Sequence, residues 1–195
     1  MPWDLLLIAV GSVAPVGHWW ESTEQEFITC LDSNLILPMT LLQRLWWVRN
    51  EGAYVCWLAG SNPNMIMAGY SAYNISKMAV LKAVEQLDHE SPDCTFFALG
   101  PGTILTKIHE ATLNAGWDNP KLKEAMNGAY AVNQKHRLDV AAPIVYTALK
   151  WCIRQPKSVI GGRNFCTSDL EKYAAHHLDE ELQQDPDMFK LRRMD

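Results

Sequence analysis

Several absences narrow the field for this 195-residue chain. No cluster of lysine and arginine larger than the KLRR near the carboxyl end occurs, and the formal net charge is −5, which argues against a nucleic-acid binder. No apolar run is long enough to span a bilayer, so no membrane partner is expected. The short run in MPWDLLLIAVGSVAPVG lacks a basic segment before it and reads as a buried strand rather than a signal peptide. The five cysteines, at 30, 56, 94, 152 and 166, include no CxxC pair. Each sits in an apolar or strand-like setting, so free buried thiols in a reducing cytoplasm are expected. Repeats, low-complexity stretches and linkers are also missing.

What is present describes a single globular domain: 48% hydrophobic and 20% charged residues over a length able to bury a real core. The eight tryptophans are scattered or paired (Trp19-Trp20, Trp46-Trp47), and the expectation is that they fill core or pocket. Continuous apolar runs bounded by glycine predict parallel strands covered on both faces near residues 4–11, 53–60, 94–100 and 158–166. Between them lie helical patterns. One is capped by Ser22-Thr23 and runs to Leu31. The next adjusts around Pro38 and stops at Gly52, and a long one ends near His89. The segment 106–132 and RLDVAAPIVYTALKWCI also read as helical. Ser168 with Glu171 forms a capping-box pattern opening a charged helical tail over 168–195, broken at Pro186. Alternating strands and helices predict an α/β, three-layer Rossmann-like domain over 1–195, whose ligands bind at the carboxyl ends of the strands.

YSAYNISKMAVLKAV places Tyr73 and Lys77 four residues apart, on one helix face. An ammonium beside a phenol favours the phenolate, which moves the tyrosine toward an acid/base role; the bland alternative is a packed tyrosine and a solvated lysine. Tyr70 has no such partner, because Asn74 follows it at that spacing. Other candidates stand at strand exits and helix junctions. Ser61 directly follows the second strand, Asn34 lies between two helices, where its amide can hold a backbone group or a water, and GPGTILT puts Pro101, Gly102, Ile104 and Thr106 after the third strand. Each alone also reads as a turn former or cap.

Taken in order, these motifs resemble the short-chain dehydrogenase/reductase family from Asp4 to about Asp169. DLLLIAVG resembles the family's fourth strand, LDSNLIL its catalytic asparagine segment, AYVCWLAGS the strand delivering its serine, YSAYNISK its Tyr-x-x-x-Lys, GPGTILT its nicotinamide-contacting turn and VIGGRNF its last strand. The resemblance implies a catalytic set of Asn34, Ser61, Tyr73 and Lys77. Gly11, Tyr73, Lys77, Pro101, Gly102, Ile104 and Thr106 would contact NAD or NADP. Tyr73 would be the acid or base and Lys77 would lower its pKa and hold the nicotinamide ribose. Ser61 would bind the substrate oxygen, and Asn34 would keep a water beside Lys77. The substrate would be a small carbonyl or alcohol compound.

Three departures accompany the likeness. Ile8-Ala9-Val10-Gly11 replaces the family's Asn-Asn-Ala-Gly. Ser61 stands twelve residues before Tyr73, one fewer than usual, and the usual position is Gly60; the interval from Asn34 to Ser61 is kept, which puts the deletion in NPNMIMAG. No G-x-G-x-x-G or G-x-x-x-G-x-G occurs, so the pyrophosphate turn and the residue choosing between NAD and NADP are not in this sequence. The chain is then a fragment or a natural short form, and the first strand should lie at a sheet edge. Two functions stay open: a reductase-type enzyme, favoured by the retained tetrad, and a silent self-associating or partner-binding scaffold. A homodimer or homotetramer is expected through the helices carrying Leu41, Leu42, Leu45 and Trp46, and Met78, Leu81 and Val84. HEATLNAGWDNPKLKEAMNGAYAV, with Trp117, Met126 and Tyr130, would form a substrate lid. His177 and Glu181 have ligand spacing without further ligands, so no metal is expected.

Overall fold

Four strands form one parallel sheet in sequence order: β1 (Trp3–Ile8), β2 (Arg49–Leu58), β3 (Cys94–Gly100) and β4 (Asn164–Cys166). The computed structural model describes residues 1–60, 66–102, 104, 106–115, 138–169 and 178–191. The helices within these residues are α1 (Glu24–Leu31), α2 (Leu37–Leu45), α3 (Ser71–Glu90), α4 (Glu110–Asn114), α5 (Leu138–Cys152), α6 (Lys157–Ile160) and α7 (Leu178–Gln184). The expected edge position of the first strand is observed: β1 pairs only with β2 among the described residues.

Side-chain alternation along the strands divides the core in two. Ile8, Val55, Trp57, Phe96 and Ala98 face α2 and α3, where Leu42, Val80, Leu81 and Val84 cover them. Cys56, Phe97, Leu99 and Phe165 face the other way, against Ala148 and Cys152 of α5, Val159 and Ile160 of α6, and Leu178 and Leu182 of α7. All seven residues of β3 are buried, as befits a strand covered on both faces. The expected charged tail is therefore seated on the core where it is described. Four of the five free cysteines are buried and Cys166 is partly so.

Local chemistry sets the helix ends. Thr23 caps α1 through a capping box: its Oγ1 accepts from the Glu26 amide, and the Glu26 carboxylate accepts from the Thr23 amide. Between α1 and α2 the chain makes a π-turn over Asp32–Ile36, and Pro38 then sits in the first turn of α2. In α3 the buried residues Ala72, Ser76, Lys77, Val80, Leu81 and Val84 recur at helical spacing and form its inner stripe.

Several expected boundaries shift. The first strand ends at Ile8, leaving Gly11 in the loop beyond it. The second helix does not reach Gly52; it closes at Leu45 with a 3-10 turn over Trp46–Val48, and β2 begins at Arg49. Trp3 opposes Arg49 and Leu5 opposes Tyr54, so a two-residue advance on β1 matches five on β2. Gly52, at φ +78°, takes up this bulge inside the strand. The last strand is only Asn164–Cys166, because 157–160 form the turn of helix α6. The helix at 167–169 opens with the Cys166 amide donating to the Asp169 carboxylate at 2.8 Å, two residues earlier than the Ser168 pattern implied. The lid residues Trp117, Met126 and Tyr130, together with Glu171 and His177, lie outside the described residues.

Candidate active site

Lys77 occupies the second turn of α3 and is only 5% exposed. Its Nζ donates to the Leu58 carbonyl at the end of β2 (3.0 Å), and no carboxylate among the described residues pairs with it. Burial without a counter-ion disfavours the cation, bringing its pKa down to about 8, while the nearby Cys30 opposes that shift. Tyr73 lies one turn earlier, with Lys77 Nζ 5.7 Å from its ring centroid. Its hydroxyl makes no hydrogen bond among the described residues and points to the exit of β2, where a Cβ added to Gly60 would lie 3.6 Å from it.

The pair shares a face, as the spacing implied, but its electrostatics differ from the expectation. Burial raises the Tyr73 phenol above its ordinary value, and Cys30 and Tyr70 push in the same direction. Lys77 does not pull it down, because the ammonium stands off the ring and is itself destabilised by burial. Tyr70 is structural, as its lack of a cationic neighbour suggested. It is buried, with its hydroxyl 2.7 Å from Thr112 Oγ1 of α4.

Asn34 sits in the π-turn, completely buried. Its Oδ1 accepts from the Ser12 amide (2.8 Å), and its Nδ2 donates to the Ser12 carbonyl and to Ser76 Oγ, each at 2.8 Å. Through these bonds the amide holds a backbone group, one of its two expected uses, and clamps the loop after β1 to α3. The clamp brings Gly11 so close that a Cβ there would meet Asn34 Oδ1 at 2.7 Å and Lys77 Nζ at 3.5 Å. Gly11 is thus required by close approach and forms the wall beside the Lys77 amine.

Two contributors escaped the sequence reading. Ser76 Oγ donates to the Tyr73 carbonyl (2.7 Å) while accepting from Asn34, so it ties the tyrosine's turn to the clamp. Its three-residue offset from Tyr73 was the available signal. Cys30, four residues before Asn34, lies under the same network with its Sγ 3.3 Å from Asn34 Nδ2; burial raises its thiol while Ser76 and Lys77 act against that shift. Pro101 and Gly102 follow the carboxyl end of β3, Gly102 at φ +78°, with Ile104 half-buried and Thr106 exposed at the start of a 3-10 turn. Ser61 lies outside the described residues; position 60, which faces Tyr73, carries glycine.

Neither a family model nor a curated protein matches the chain. Solved structures do. A short-chain dehydrogenase/reductase from Saccharomyces cerevisiae superposes with a TM-score of 0.73 at 19% identity, over 86% of this chain and 67% of that one. Aldohexose dehydrogenase from Thermoplasma acidophilum gives 0.64 at 18% identity, over 85% and 66%. An angucycline C-6 ketoreductase with bound NADP gives 0.61 at 16%, over 85% and 61%. The chain has the fold of the short-chain dehydrogenases/reductases and spans about two thirds of the length of these structures.

Among the described residues no group of histidine, cysteine and acidic side chains is placed to hold a metal, and no helix is long and apolar enough to cross a membrane.

Proposed function

We propose that this chain carries the catalytic part of an NAD(P)-dependent oxidoreductase acting on a carbonyl or alcohol, with Tyr73 as the acid/base. The observation behind this reading is the convergence of a tyrosine hydroxyl without a hydrogen bond among the described residues, a nearly buried lysine and a backbone wall at Gly11 on the carboxyl end of the sheet. A buried lysine with one carbonyl acceptor among the described residues has two donors to offer a ligand. That is chemistry suited to a pair of ribose hydroxyls, so the nicotinamide end of a dinucleotide fits, held by Lys77, Gly11 and the Pro101–Gly102 turn. No glycine-rich turn in the sequence fits the pyrophosphate. When bound, a nicotinamide supplies or accepts the hydride.

The protein's own part is the proton. With its pKa raised, Tyr73 is a protonated phenol at neutral pH, ready to donate to a substrate oxygen as negative charge develops there. The same group would take the proton back in alcohol oxidation, so its ionisation bears on the rate in both directions and does not choose between them. The clamp from Asn34 through Ser76 keeps the Tyr73 turn in place, and Lys77 orients the cofactor.

The test is titration of the chain with NADH and NADPH by nucleotide fluorescence, followed by reduction assays on aldehydes and ketones. Tyr73→Phe should leave nucleotide binding intact and lower kcat by about a hundredfold or more. Nucleotide binding that ignores Lys77→Met, or turnover that survives Tyr73→Phe, would sink the assignment.

We also propose a homodimer, with its contact corrected from the expectation. Leu42, Leu81 and Val84 are buried within the chain, and Trp46 and Met78 pack against the same core. The outward residues are Ile36, Leu37 and Leu41 on the α2 side and Ile75 on α3. Light scattering on the chain and on Leu41→Glu should show a dimer and a monomer respectively; a monomeric parent chain rejects the proposal.

A further inference from the structure

Trp19 and Trp20, expected to fill core or pocket, are instead 64% and 63% exposed. Tyr70 is the opposite case: a phenol that the proposed proton transfer does not use, yet only 3% exposed. It immediately precedes α3 and reaches both ways from there. Its ring meets the Tyr73 ring edge-to-face, with centroids 6.4 Å apart at 66°. Its hydroxyl lies 2.7 Å from Thr112 Oγ1 of α4, a residue that is also 3% exposed.

The two ends of this bond differ in how firmly the backbone holds them. Tyr70 is fixed: its amide donates to the Met67 carbonyl (3.2 Å), and its carbonyl accepts from the Asn74 amide (2.8 Å). The Gly17 amide also grips the preceding residue, donating to the Gly69 carbonyl at 3.0 Å. α4 follows the carboxyl end of β3, beyond Pro101–Gly102 and the 3-10 turn over Lys107–His109, and is only five residues long. A helix that short does not hold its own shape or place in water. The hydroxyl bond therefore runs from a rigid turn to a weak helix, and it brings α4 within one phenol ring of Tyr73.

We propose that Tyr70 and Thr112 are positioning residues, whose bond holds α4 beside Tyr73 as a wall that seats the carbonyl substrate. The seating rests on the oxidoreductase reading; the grip on α4 does not. Tyr70→Phe, Thr112→Val and the double variant separate positioning from mere support of the fold. Each single variant leaves one buried hydroxyl without its partner and should lower the unfolding midpoint. The double variant removes both hydroxyls and should regain the parent's midpoint. Substrate seating should not return with it. With NADH and NADPH, KM for benzaldehyde and for cyclohexanone should rise about fivefold in both single variants and stay raised in the double. Over the same set kcat should hold within about twofold and nucleotide affinity should not change. Thr112→Ser keeps the Oγ and should restore the parent KM. Amide exchange over 107–115 should be faster in the Phe, Val and double variants than in the parent. A KM that recovers in the double variant, or exchange over 107–115 that ignores Tyr70→Phe, overturns the proposal. A parent chain that reduces neither compound sinks the oxidoreductase reading and the seating of a carbonyl with it; faster exchange in Tyr70→Phe would then leave the grip on α4 standing.

Discussion

Two lysines at opposite ends of α3 are treated differently by the fold. Lys157, reaching from α6 to the carboxyl end of α3, donates to the Asp88 carboxylate (2.5 Å) and to the carbonyls of Asp88 and Cys94 (2.8 Å each). Three donors meet three acceptors, and Asp88 also receives the Phe96 amide at 2.9 Å. Gly161 packs against this knot so tightly that a Cβ there would collide with the Asp88 carboxylate. Lys77, at the amino end, is more deeply buried yet among the described residues has one carbonyl and no counter-ion. A finished polar knot is what stability selects. A buried cation left short of partners opposes stability, and it is a reason to look for a ligand.

The largest expected effect on stability is at the finished end. Lys157→Met leaves the Asp88 carboxylate and two carbonyls short of a donor, and should cost about 2–3 kcal/mol in urea unfolding. A cost near zero would mean that water substitutes for the ammonium and that the two lysines differ less than their geometry suggests.

Gly11→Ala comes next. Its Cβ would press on Asn34 Oδ1, which is backed by Ser12 and Ser76 and has nowhere to move, so about 1–3 kcal/mol should be lost. Nucleotide affinity should fall with it, since the same loop walls the Lys77 amine. An unaffected variant would show that the loop shifts freely and that Asn34 is not a rigid clamp.

Lys77→Met should have the opposite sign. Removing a buried cation that has no counter-ion among the described residues should stabilise the fold at pH 7 by about 1–2 kcal/mol, net of the donor lost by Leu58, while abolishing nucleotide binding. The pH dependence sharpens this. The folded pKa of about 8 lies below the ordinary lysine value, so between these two values the unfolded state binds the extra proton. The parent chain's deficit is therefore full below about pH 8 and shrinks as pH rises toward 10.5; the advantage of Lys77→Met should fade over the same window. Parallel stability curves for the two proteins would show that Lys77 is not depressed.

The smallest effect is Cys30→Val, which removes a thiol from beneath Asn34 while keeping the apolar volume. A change below about 0.5 kcal/mol is expected, because Asn34 Nδ2 keeps Ser12 and Ser76 as acceptors. A larger loss would make the thiol a full member of the clamp.

Chain order and spacing alone carried the parallel α/β reading, the helix face shared by Tyr73 and Lys77, and the exclusion of Tyr70, while the edge position of β1 came from the family resemblance. The first three follow from local periodicity, which a sequence displays directly. Boundaries were less legible. Nothing local distinguishes Arg49–Glu51 as strand, since only pairing across a bulge to Trp3 holds it there. Likewise 157–160 read as strand by composition but coil into a helical turn where Lys157 must reach Asp88. The tertiary structure also decided that Asn34 spends its amide inside the protein, that Trp19 and Trp20 face outward, and that Tyr73 is pushed up rather than down. These depend on which groups from distant segments meet and on how much water remains between them. Residue order fixes the candidates for such contacts, while packing sets their distances and solvent access, and with them the direction of every charge effect at the site.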